Sequence, residues 1–127
     1  MKLTEVWNTK NKPTVSFELF PARSEKAAAR LEKTIDILAD LQPDFASVTF
    51  GAGGSTREGS YQLLKKLKDE KGLEVVGYFA GYGLGPQEIS SVLDSYQALG
   101  IENILVVRGD TPHNQEDFTP HPDSFAH

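Results

Sequence analysis

The feature that most constrains this chain is a hydrophobic period that switches repeatedly between two and about 3.6 along residues 14–107. Thr14 to Phe20 reads as a strand, introduced by Pro13 and ended by Pro21. Alternation puts Val15, Phe17 and Leu19 on one face and Ser16, Glu18 and Phe20 on the other. Ser24 is a good N-cap, and Ala27, Leu31, Ile35 and Leu38 recur at helical spacing, so a helix is expected over Glu25 to Leu41. After Pro43 a second strand, Asp44 to Phe50, sets Ala46, Val48 and Phe50 against Phe45, Ser47 and Thr49.

The cycle then repeats. Ser55-Thr56-Arg57-Glu58 fits a capping box, and the helix behind it turns Tyr61, Leu64 and Leu67 inward until Gly72 stops it. Strand three spans Leu73 to Ala80. Pro86 suits the first turn of a third helix, with Ile89, Leu93 and Tyr96 on its apolar side and Gly100 at its end. Strand four, Asn103 to Val107, is a continuous apolar run of the kind buried on both faces. Met1 to Lys12 reads as a polar leader, packed on the domain edge or loose, and Thr111 to His127 as an irregular tail without periodicity.

A β-α-β-α-β-α-β order with short connections demands a parallel sheet in one α/β domain spanning residues 1–127. An open doubly wound sheet and the first four βα units of a (β/α)8 barrel both satisfy it. The barrel is favoured because Ser16, Glu18, Ser47 and Thr49 share the strand faces opposite those suited to helices, and a barrel carries its chemistry at the C-terminal strand ends. A closed barrel takes about 250 residues. Four strands do not close, so the expectation is the N-terminal half of a longer enzyme, or a half completed by a second copy or a partner chain.

Composition narrows the partners. The net charge of −5, with no cluster of lysine or arginine, argues against nucleic acid or an anionic membrane as the main partner. No apolar run approaches the roughly 18 residues of a membrane span, and Met1 to Lys12 lacks the apolar core of a signal peptide, so a cytoplasmic protein is expected. The absence of cysteine removes disulfide and thiolate chemistry. His113, His121 and His127 are scattered through the tail and read as solvated, so no metal site is expected.

Four places could carry chemistry. Glu18 sits between aromatics in a strand, where burial would strip a carboxylate of water. It is either paired, with Arg23 or Arg108 as partner, or a general acid whose pKa is raised by desolvation. Arg108-Gly109-Asp110 ends the fourth strand and reads as a ligand contact or as an Arg–Asp pair tidying a loop; a cell-adhesion role for the tripeptide is a chance match. Gly81-Tyr82-Gly83-Leu84-Gly85 resembles a dinucleotide fingerprint, but its third glycine comes one position early and Pro86 follows, so a plain glycine-rich turn explains it better. Thr49 to Gly54 offers a hydroxyl on the face of Glu18 and glycines that would let a flat or phosphorylated ligand approach, or serve only as a loop.

Ser16-Phe17-Glu18-Leu19-Phe20-Pro21, Ser47-Val48-Thr49-Phe50-Gly51-Ala52 and Val106-Val107-Arg108-Gly109-Asp110, in this order and spacing, resemble the methylenetetrahydrofolate reductase family. The resemblance implies a barrel flavoprotein that passes a hydride from NADH or NADPH to FAD, then to the folate substrate 5,10-methylenetetrahydrofolate. It implies that Glu18 is the acid that helps open the folate's five-membered ring, and that Asp110 lies near flavin and folate, where it stabilises positive charge on the pterin. It further implies that Phe50, Ala52, Arg108 and Gly109 contact the flavin and that Thr49 lies beside it, where the nicotinamide stacks. The run Gly77-Tyr78-Phe79-Ala80-Gly81 puts Tyr78 where the family commonly has a histidine that contacts the flavin.

Overall fold

A computed structural model describes residues 1–9, 11–51, 54–111 and 117–125, without the side chains of residues 54–56. The elements run α1 (Leu3–Thr9), β1 (Ser16–Leu19), α2 (Glu25–Asp40), β2 (Phe45–Val48), α3 (Gly54–Lys65) continued by a π-helical turn (Lys66–Glu70), β3 (Val75–Ala80), α4 (Pro86–Ala98) and β4 (Asn103–Val107). The four strands form one parallel sheet in the order β1-β2-β3-β4. No reversal of strand order, the mark of a doubly wound switch point, occurs among these four strands. The sheet is consistent with part of a (β/α)8 barrel.

Helices α2, α3 and α4 pack on one face of the sheet. The core there joins Leu19, Ala46, Val48 and Val75 of the strands to Ile35, Leu64, Leu67 and Tyr96 of the helices. Ile35, Leu64 and Leu67 are fully buried, each contributing roughly 1.5–3 kcal/mol by removal of apolar surface from water. The phase of α2 follows the expected spacing, begun by Ser24, whose Oγ accepts from the N–H of Ala27 at 3.2 Å. In α4 the expectation fails at Leu93, which is exposed, while Val92 and Leu99 join Tyr96 on the core side. Both Val92 and Leu93 are apolar, and the position one helical turn before Tyr96 is the one that faces the sheet. The expected capping box at Ser55 rests on side chains outside those described.

The opposite face carries α1. Far from loose, this helix sets Leu3 and Val6 against Val76 and Phe45 at the N-terminal ends of the strands. Asn103 anchors it, accepting from the N–H of Leu3 and donating to the carbonyl of Met1 and to Glu74, all within 2.9 Å. The Met1 ammonium pairs with Glu74 and Glu102, whose hydrogen bonds push its pKa up.

Strand β4 corrects the sequence expectation. Leu105, Val106 and Val107 are exposed, Val106 at 67%. Among the described residues β4 pairs with β3 alone and forms a sheet edge, so burial on both faces is not reached.

Candidate active site at the C-terminal strand ends

Period-two alternation fixes what the open face presents. Glu18 of β1 is in register with Ser47 of β2, and Ser47 with Val76 of β3, so Tyr78 lies two residues further along the same face. The phenol of Tyr78 donates a hydrogen bond to Glu18 Oε2. That bond, helped by partial burial, holds the Tyr78 pKa above the ordinary 10.0, while a hydrogen bond with Ser47 works the other way. Glu18 is exposed, not buried among aromatics, because Phe17 and Leu19 point to the opposite face. Its partner is a phenol, neither Arg23 nor Arg108.

Tyr78 is itself fixed from the helical side. The hydroxyl of Tyr96 donates to the Tyr78 carbonyl at 2.8 Å, and the Tyr96 ring fills the space that a side chain at Gly77 would need. Burial pushes the Tyr96 pKa up to about 12. Ser60, buried on α3, donates to the carbonyl of Thr49 at 2.7 Å and so ties the end of β2 to its following helix.

Above Tyr78 a cavity of about 310 Å³ opens at the C-terminal strand ends, with Thr49, Phe50, Gly109 and Asp110 among its walls. A second hollow of about 630 Å³ runs down the open face and is lined by Glu18, Ser47 and Tyr78. Tyr78 is thus the wall shared by the two. Gly109 has φ of 87° and packs on Ala80 closely enough that a β-carbon would come within 2.9 Å of the Ala80 Cβ, so the turn after β4 requires glycine.

Backbone pairing between β3 and β4 continues past the strand ends, with Gly81 N–H donating to Val107 and Tyr82 N–H to Arg108. This keeps Arg108 beside Tyr82, its guanidinium 4.2 Å from the ring centroid. On the other side Arg57 lies over Phe50 at 5.5 Å and pairs with Glu88 at 3.6 Å. The glycine loop is covered by the tail. Phe118 closes on Gly83, His121 on Gly85 and Phe125 on Gly81, and the His121 N–H donates to the Gly83 carbonyl. His121 packs against the loop while its side chain stays exposed, as expected for a solvated histidine.

Of the residues singled out in the sequence, Thr49, Phe50, Tyr78, Gly109 and Asp110 meet at the upper cavity. Glu18 reaches it through Tyr78, and Arg108 borders it through Tyr82. Ala52 lies outside the described residues. Arg57, Tyr82 and Phe118 also line the cavity and were not anticipated. Tyr82 sits inside the glycine run, where the spacing of the glycines masks it, and Phe118 lies in a stretch with no periodicity. Arg57 was legible only as a capping-box position.

Fold and site together define an α/β protein with a singly wound parallel sheet and a carboxylate-bearing, aromatic-walled cavity at its C-terminal strand ends. The sequence matches the methylenetetrahydrofolate reductase family over residues 2–127, and the chain belongs to that family. It is 37% identical over 98 residues to 5,10-methylenetetrahydrofolate reductase of Escherichia coli, covering 77% of this chain and 33% of that protein. It is 31% identical over 111 residues to methylenetetrahydrofolate reductase (NADH) 1 of Arabidopsis thaliana, covering 87% of this chain and 19% of that protein. The chain thus spans a third or less of these two relatives. Among the described residues no helix is long and apolar enough to cross a membrane.

Proposed function

We propose that this chain is the N-terminal portion of a (β/α)8 enzyme that reduces 5,10-methylenetetrahydrofolate to 5-methyltetrahydrofolate, and that it contributes the acid and one wall of the flavin site. The observation that carries this reading is the meeting of Thr49, Tyr78 and Asp110 at one cavity by the C-terminal strand ends, with Tyr78 bonded to Glu18 in the adjoining hollow, in a member of this family. Residues 1–127 act as one domain, with the tail as its upper cover.

The walls suit the ring portion of a flavin. Phe50, Tyr78 and Tyr82 offer flat surfaces, Gly109 leaves backbone accessible, and about 310 Å³ lies at the small end of ligand sites, sized for a ring system and not for a whole dinucleotide. Thr49, Phe50, Ala52, Tyr78, Arg108 and Gly109 are the residues proposed to hold FAD. When bound, FAD supplies the hydride, and NADH or NADPH replenishes it; the name of the Arabidopsis relative specifies NADH. Glu18 gives a proton to an amine nitrogen of the folate's five-membered ring, which favours opening to an iminium. Asp110, a carboxylate at the cavity rim, stabilises the positive charge that results. Reduced protein-bound flavin should be reoxidised by 5,10-methylenetetrahydrofolate in the absence of oxygen. Flavin that binds but stays reduced would oppose the reading.

A second reading, a binding module completed by a partner chain, is favoured by the exposed edge of β4. It predicts an associated species in solution. A monomer by sedimentation over a wide concentration range would remove self-association.

A further inference from the structure

We infer that Tyr78 is a positioning residue for the Glu18 carboxylate, holding one oxygen and leaving the other to face the substrate. The inference deepens the proposed function and its catalytic part rests on that reading. The geometry is specific. The Tyr78 phenol donates to Glu18 Oε2, so one carboxylate oxygen is committed and Oε1 is the one left for proton transfer. Tyr78 cannot easily move away, because Tyr96 holds its carbonyl from the helical side and Gly77 is packed under the Tyr96 ring. Tyr78 also forms the wall between the upper cavity and the hollow that contains Glu18.

The chemistry follows from which form of the carboxyl the phenol favours. A donor to Oε2 stabilises the carboxylate more than the carboxylic acid, whose carbonyl oxygen is the weaker acceptor. In the transfer, the O–H bond at Glu18 Oε1 breaks, an N–H bond forms on the substrate amine, and the electron pair stays on the carboxylate. The negative charge that appears there is met by the Tyr78 hydroxyl, which keeps its own proton throughout. Tyr78 therefore holds and stabilises the carboxylate that the transfer leaves behind. The elevated Tyr78 pKa, caused first by Glu18, agrees with a phenol that remains protonated. Other titratable groups share these two hollows: Glu102 at the lower end, and Arg57, Tyr82 and Asp110 at the upper. Glu102 is paired with the Met1 ammonium and Arg57 with Glu88.

Two measurements test this. The first needs neither cofactor nor substrate: Tyr78 is titrated in the chain by NMR of its ring carbon, with and without Glu18→Gln. The expected result is a downward shift of the Tyr78 midpoint toward 10.0 in the variant. An unmoved midpoint overturns the pairing, whatever the enzyme's activity. The second compares flavin reoxidation by the folate in Tyr78→Phe and Tyr78→His. The rate should fall in the phenylalanine variant and partly recover in the histidine variant, whose ring N–H can again donate to Glu18. A loss of the same size in both would reduce Tyr78 to a structural role and overturn the inference.

Discussion

The ring of Tyr96 lies directly against Gly77, so close that a β-carbon at residue 77 would stand 2.8 Å from Tyr96 Cε2. The contact joins α4 to the centre of β3, one residue before Tyr78. Gly77→Ala should therefore cost on the order of 1–3 kcal/mol in urea unfolding, because the buried ring has little room to yield. It should also disturb the Tyr78–Glu18 hydrogen bond, visible as a change in the Tyr78 ring resonances. A variant as stable as the parent would show that α4 is free to shift.

Tyr96 makes stability fall at alkaline pH. Its folded pKa is raised to about 12 by burial, while the unfolded tyrosine titrates near 10.0. Between these values the unfolded chain loses a proton that the folded chain keeps, so the stabilisation is complete below pH 10 and lost as pH rises toward 12. The loss should be on the order of 2 kcal/mol, with Tyr78 adding in the same direction. Comparing urea midpoints at pH 8 and pH 11 checks it, and Tyr96→Phe should flatten most of the dependence.

Gly83 has φ of 81°, and a β-carbon there would come within 2.3 Å of the Phe118 ring. Gly83→Ala should cost about 1 kcal/mol or more and release Phe118 from the loop, read as faster proteolysis within residues 117–125. Nucleotide affinity measured by calorimetry should not change, since these glycines serve a turn and its cover. A specific loss of nucleotide binding would restore the fingerprint reading.

Asn103 makes three hydrogen bonds, two that hold the start of α1 under the sheet and one to Glu74. Asn103→Ala should cost roughly 1–3 kcal/mol and loosen the helix. The single tryptophan, Trp7, lies on α1 and reports on it directly: its fluorescence anisotropy should fall while the strands stay folded by circular dichroism. Unchanged anisotropy would mean that Leu3 and Val6 alone secure α1.

How much of this was legible in the sequence depended on whether the signal was local. The helix phase at Ile35, the stop at Gly72 and the strand Asn103–Val107 follow from spacing and turn chemistry, and the structure reproduces them. The environment of Glu18 was not legible. Alternation set Phe17 and Leu19 on the other face, but it could not show that the face of Glu18 is exposed or that its partner is Tyr78, sixty residues away. The exposure of Val106 was hidden for a similar reason: an apolar strand states that it suits burial, not which neighbours it has. Pairings such as Arg108 on Tyr82 and Phe118 on Gly83 depend on where separate loops meet, and no periodicity encodes that.

The central claim is that Glu18 is the proton donor for reduction of the folate. The most direct measurement is anaerobic stopped-flow reoxidation of the protein's reduced flavin by 5,10-methylenetetrahydrofolate, in the parent and in Glu18→Gln. The account predicts a fall of roughly 10²–10⁴-fold in this half-reaction, the ordinary contribution of a positioned acid, with flavin reduction by the nicotinamide donor nearly unchanged. Equal reoxidation rates in the two proteins would contradict it.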